Sequence, residues 1–185
     1  MRPILTDLWM RAKSDVVRGR WQDGAMRVHL GSDHAGFEVK NQVAEALRAD
    51  GHEVVDHGAF VYDDADDYPV YCLRAAEAVA HDDTSLGVVL GGSGNGEQMA
   101  ANKVRGIRAA LVWSADTARL SREHNDARVM AVGGRVHSID EVVGFVRIFL
   151  ATRFSGDERH ERRIRMLNRY EQVGELPPLS GGPSA

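Results

Sequence analysis

The segment that most restricts what this chain can fold into is residues 86–98. Leu86-Gly87-Val88-Val89-Leu90 shows no apolar–polar alternation, and it runs straight into Gly91-Gly92-Ser93-Gly94-Asn95-Gly96-Glu97-Gln98. A strand that is apolar on every side chain belongs in a sheet covered on both faces, and such sheets are built of parallel strands joined by helical crossovers. The rest of the chain follows that plan. Further strand-like runs are Val28–Leu30, Glu53–Asp56, Ile107–Val112 and Val129–Val132. Helical spacing falls between them: Val39, Val43 and Leu47 recur at i+4, and Gly51 stands where a helix would stop. Pro69 suits a first helical turn ahead of Tyr71–Ala80. Ser138 and Glu141 form a capping-box pair before Val142–Leu150, and a last helix is expected over Glu158–Tyr170. The pattern predicts a doubly wound, Rossmann-like α/β fold: a five-stranded parallel sheet, helices on both faces, and a C-terminal helix.

Residues 26–172 read as one domain. Residues 1–25 read as an appended or peripheral N-terminal extension. Ile4, Leu5, Leu8 and Trp9 could line up as a short stripe, but Asp7 breaks the apolar run that a secretory signal requires. Pro177, Pro178 and Gly181–Pro183 mark 173–185 as a flexible tail.

Composition narrows the function classes. Lys and Arg total 23 against 27 Asp and Glu, a formal net charge of −4, which argues against a nucleic-acid partner. No apolar run approaches the roughly 20 residues that span a bilayer. The single cysteine, Cys72, rules out an internal disulfide and a cysteine-based zinc cluster, and it suits a reducing, cytoplasmic setting. Placed mid-helix among apolar residues, it reads as core.

In doubly wound sheets ligands bind beyond the carboxyl ends of the strands, which directs attention to four loops. Closely spaced glycines in 91–96 let backbone N–H groups converge on an anion at a helix start. A nucleotide loop would place Lys after the last glycine; Glu97 stands there instead, and its carboxylate would repel a triphosphate. The loop therefore suits a developing oxyanion with a carboxylate beside it, while Glu97 could equally be a first-turn acid favoured by the helix dipole. Asp33 and His34 follow the first strand, as crevice residues or as an N-cap and a solvated imidazole. His124, in Glu123-His124-Asn125, is either a titrating acid or a histidine at a helix C-terminus. Arg135 follows the fifth strand. Between Arg153 and Arg169 stand six arginines and three acids, and Arg159 and Arg163 share one helix face at a spacing that could grip a phosphate. The acidic run Asp63, Asp64, Asp66, Asp67 lacks the glycine and distal glutamate of a calcium loop and reads as solvated.

Five segments in order, Gly31-Ser32-Asp33-His34-Ala35-Gly36, Gly91 through Glu97, Ala101-Asn102-Lys103, Glu123-His124-Asn125 and Gly133-Gly134-Arg135, resemble the B-type ribose-5-phosphate isomerases. These share a superfamily with the galactose-6-phosphate isomerase subunits. The resemblance spans Met26 to about Tyr170. It implies an aldose–ketose isomerase without cofactor or metal, acting on ribose 5-phosphate and ribulose 5-phosphate in the non-oxidative pentose phosphate pathway. It also implies a homodimer or higher oligomer with the active site between subunits. By position, Glu97 would move the proton between C1 and C2, and His124, with Asp33, would open the sugar ring. Gly92, Ser93, Gly94, Asn95 and Gly96 would hold the enediolate oxygen, and Asn125 a hydroxyl. His34, Arg135, Arg159 and Arg163 would take the phosphate. Many family members carry a cysteine base where this chain has Ser93. A serine hydroxyl is too weak an acid for that role without an activating partner, so the chain resembles the actinobacterial branch, in which glutamate is the base. Rival readings are an isomerase of galactose 6-phosphate or a tetrose phosphate, and a non-catalytic sugar-phosphate-binding module.

Overall fold

The computed structural model describes residues 24–179. The expected N-terminal extension falls outside them except for Gly24 and Ala25, and so do residues 180–185 of the expected tail. Five strands, β1 Arg27–Ser32, β2 Glu53–Asp56, β3 Leu86–Gly91, β4 Ala109–Val112 and β5 Val129–Gly133, form one sheet of order β2-β1-β3-β5-β4. Every pairing is parallel, as expected. The described helices are α1 Phe37–Ala49, α2 Tyr68–His81, α3 Asn95–Ala101, α4 Ala115–Asn125, α5 Ile139–Ala151 and α6 Glu158–Val173. None is long and apolar enough to cross a membrane.

The unalternating β3 is buried on all six residues because it sits in the middle of the sheet between two cores. On one face Val39, Val43 and Leu47 of α1 and Val142, Val146 and Phe149 of α5 close over Val88, Leu90 and Met130. On the other, Cys72, Ala75, Ala76 and Val79 of α2 pack with Ala100 and Ala101 of α3 against Val89 and Ala131. The expected capping box closes α5, with Ser138 and Glu141 exchanging hydrogen bonds. Lys40 of α1, fully buried, pairs with Asp56 at the end of β2.

Three of the boundaries that differ from the sequence pattern have a local cause. Ile107 is buried but precedes β4; Asn102 instead brackets the strand's first residue, donating to the Ala109 carbonyl at 2.9 Å and accepting its N–H at 2.9 Å. Apolar character there reports core burial, not strand pairing. α2 starts three residues before Tyr71, at Tyr68. α6 continues to Val173, where Gly174 in the left-handed region ends it.

Candidate active site

β1, β3 and β5 lie side by side, so their carboxyl ends meet: Ser32 pairs with Leu90, and Gly91 with Gly133. The loops that follow are tied together by their backbones. Gly134 N–H donates to the Gly91 carbonyl at 2.8 Å and Arg135 N–H to that of Gly92 at 3.1 Å. Gly91 has no side chain because the Glu97 carboxylate fills the space a Cβ would take. Gly94 caps α3 at φ 84°, and a Cβ there would stand 2.7 Å from Leu111. Both glycines are thus required by the seat they make for Glu97.

Glu97 is 4% exposed and Asp33 7%. Burial pushes the Glu97 carboxyl above the usual glutamate range, and the negative Asp33 adds to the rise. Backbone N–H groups of Glu97 and Gly94 pull the other way and are outweighed. The helix start therefore does not leave Glu97 a weakened base. Ser93 Oγ accepts from Asn95, from its side-chain Nδ2 at 3.2 Å and its N–H at 3.4 Å. Those are donors, which hold a hydroxyl without activating it.

Asp33 is the N-cap of a one-turn 3-10 helix, His34–Gly36, and accepts from Ala35 N–H at 3.0 Å, so the capping role is realised. His34 donates its backbone N–H and its ring Nδ1 to Asp66 Oδ1, each at 2.8 Å. That bond, first among several influences, raises the His34 pKa. Arg135, exposed, lies over Gly92 near Ala35, with its Cδ 3.6 Å from where a Gly92 Cβ would stand. Asp33, His34 and Asp66 each bring one possible metal-ligand atom within 4.8 Å of the others. Asp33 Oδ1 and Asp66 Oδ1 accept protein N–H groups, while the buried Asp66 Oδ2 has no hydrogen-bond partner among the described residues.

The remaining candidates lie at the opposite edge of the sheet. α4 leaves the carboxyl end of β4 and runs 11 residues, about 16 Å at 1.5 Å per residue, to the amino side, where His124 and Asn125 end it. There the His124 ring stacks on the buried His160 ring at 4.3 Å, His160 Nδ1 bonds Ser155 Oγ at 2.9 Å, and Ser155 N–H donates to the Glu123 carbonyl. Arg159 and Arg163 flank His160 on α6, both exposed. Farther along α6, Glu171 accepts from Gly106 N–H at the amino end of β4, so the helix lies along this edge.

One chain thus brings together Glu97, Asp33, His34, Ser93, Gly92, Gly94, Asn95, Gly96 and Arg135, and a separate set of His124, Asn125, Arg159 and Arg163. The resemblance implied a site shared between subunits, but chain order did not show which residues fall in which set, because His124 comes only five residues before β5, the neighbour of the central β3. Three contributors were also missed. Asp66 belongs to the acidic run read as solvated. Tyr68 packs on Gly96, whose Cβ would stand 2.7 Å from the ring. His160 supports His124, and only its place between two arginines could have suggested it.

A buried carboxylate beside glycine-rich backbone at the carboxyl edge of a parallel sheet defines the class: an α/β protein whose strand ends suit a small anionic ligand and a proton transfer. Comparison with known proteins is consistent and more specific. A family model described as Ribose/Galactose Isomerase matches residues 28–167, and the chain belongs to that family. Ribose-5-phosphate isomerase B of Mycobacterium tuberculosis is 52% identical over 159 residues, 86% of this chain and 98% of the relative. A galactose-6-phosphate isomerase subunit of Clostridium acetobutylicum is 37% identical over 76% of this chain and 80% of its own length. Among solved structures, ribose-5-phosphate isomerase B of Mycoplasma genitalium with bound ribulose-5-phosphate superposes with a TM-score of 0.77 at 39% identity, covering 80% of this chain and 97% of that one.

Proposed function

We propose that the chain is an aldose–ketose isomerase interconverting D-ribose 5-phosphate and D-ribulose 5-phosphate through an enediolate. The observation that carries this reading is the buried Glu97 carboxylate, seated against Gly91 with its pKa raised by burial. A base of that kind can take the proton from C2 of the aldose and return it to C1. Oxidation at C2 is balanced by reduction at C1, so the step needs no redox cofactor. The N–H groups of 92–96 are the donors for charge developing on the sugar oxygen, and Ser93 adds a hydrogen bond. His34 and Arg135 hold the phosphate from the same chain. His124 for ring opening, Asn125 for a hydroxyl, and Arg159 and Arg163 for the phosphate come from a second subunit, because each chain carries them at the far edge of its own sheet. The working form is then a homodimer or a higher oligomer built from such pairs, in the cytoplasm, where the buried thiol of Cys72 stays reduced.

The test is turnover on ribose 5-phosphate, galactose 6-phosphate and erythrose 4-phosphate side by side. The expected outcome is a kcat/KM for ribose 5-phosphate at least roughly tenfold above the others. A reversed order would overturn the substrate assignment, and tight binding of all three without turnover would make the chain a binding module.

A further inference from the structure

Asp66 belongs to a motif that the reaction leaves unused, the acidic run between β2 and α2. Unlike a solvated acid, its side chain is only 7% exposed. It reaches across 32 residues of sequence to take both donors of His34, the backbone N–H and ring Nδ1, on one oxygen. With Nδ1 committed to a carboxylate, Nε2 is the nitrogen left for a ligand.

The protonation state of that ring decides whether it can serve a phosphate. A phosphate monoester is largely a dianion above about pH 6. A neutral imidazole with its proton on Nδ1 would offer that dianion a lone pair at Nε2, a repulsive contact. Only the imidazolium offers Nε2–H and positive charge together.

The groups facing His34 can be enumerated by element. Asp33 stands on its own loop. Asp66 and the edge-on Tyr62 ring, 6.3 Å between centroids, come from the segment before α2. Arg135 comes from the loop after β5. The Asp66 hydrogen bond comes first in weight and favours the cation, as do the charges of Asp33 and Asp66, while desolvation and Arg135 oppose it and are outweighed. Tyr71 of α2, close to Asp66, is pushed up by burial and then by Asp66, so it adds no charge near neutral pH.

We propose that Asp66 is a positioning residue for phosphate capture: it holds the His34 ring with Nδ1 as donor and keeps it cationic, so that Nε2–H faces the substrate phosphate. The proposal rests on the assignment of His34 to the phosphate. Because Asp66 raises the pKa of His34, the cationic grip is present below that pKa and fades as pH rises through it. Without the carboxylate the grip fades at lower pH.

Asp66→Asn tests this, since an amide oxygen can still accept both N–H groups while lacking charge. His34 is followed by imidazole 15N and 13C shifts, assigned by their disappearance in His34→Gln. The expected result is a His34 titration moved to lower pH in Asp66→Asn. KM for ribose 5-phosphate should rise about tenfold at pH values where only the wild-type ring is still charged, with kcat changed less than roughly threefold. A merely structural lesion would raise KM by one factor at every pH, and that result overturns the proposal. So do superimposable His34 titrations in the two proteins. In the wild type alone, a neutral His34 protonated on Nε2 would also refute it, whether or not the variant folds. If ribose 5-phosphate is not turned over at all, the functional assignment fails, while the His34 titration with and without inorganic phosphate still decides the part of Asp66.

Discussion

Glu97 sits under two opposed influences, a helix start that favours its charge and a buried seat that disfavours it, and burial wins. The raised pKa places the acid limb of kcat/KM above the range of an exposed glutamate, since only the deprotonated form can accept the proton. Glu97→Gln keeps the shape of the loop and removes the base, so turnover should fall by about 10²–10⁴-fold with KM little changed. Ser93→Ala should cost much less, since the proposed mechanism asks of Ser93 only one hydrogen bond to the sugar oxygen. Steady-state kinetics on the two variants compare them, and equal losses would make Ser93 a chemical participant. The placing of Glu97, Asp33 and Arg135 beyond strand ends was legible in the sequence, because each lies in or just after a loop that follows a strand of the parallel sheet. Asp66 was not, since an aspartate among aspartates looks solvated until the fold shows it turned toward His34.

Among the elements, α3 and β1 carry the sharpest consequences. α3 begins at Gly94, whose left-handed backbone and contact with Leu111 leave no room for a side chain. Gly94→Ala should lose about 2–4 kcal/mol of stability, from backbone strain and overpacking together, read as a lowered denaturation midpoint, with activity lost as the Glu97 seat shifts. β1 buries His29, whose Nδ1 lies 2.9 Å from His57 Nε2. Burial first, then repulsion from His57, lowers its pKa from 6.5 to about 4. The unfolded chain therefore binds the extra proton between those values, and stability should fall by about 3 kcal/mol as pH drops from 6.5 to 4. Denaturant titrations across that window check it, and His29→Gln should flatten the slope. Element type was readable from periodicity and caps for the five strands and for α1, α2, α5 and α6. Element ends were not, because Ile107 is apolar for packing and Tyr68 enters α2 ahead of the proline that marks its first turn.

At the scale of the molecule, His124 and the arginines of α6 stand apart from Glu97, and the proposed function makes them two half-sites carried by each chain. Glu97→Gln and Arg163→Ala proteins, each inactive alone, should regain activity when mixed under conditions of subunit exchange, since a mixed pair rebuilds one whole site. No recovery, with exchange verified by mass, would place both residues in one chain's site. The separation of His124 from Glu97 also bears on symmetry. If halves of one kind must meet halves of the other, a closed two-fold pair satisfies both chains at once, whereas a head-to-tail row leaves an unmatched half at each end. Closure therefore sets the stoichiometry, and titration with a tight-binding enediolate mimic should count one site per chain.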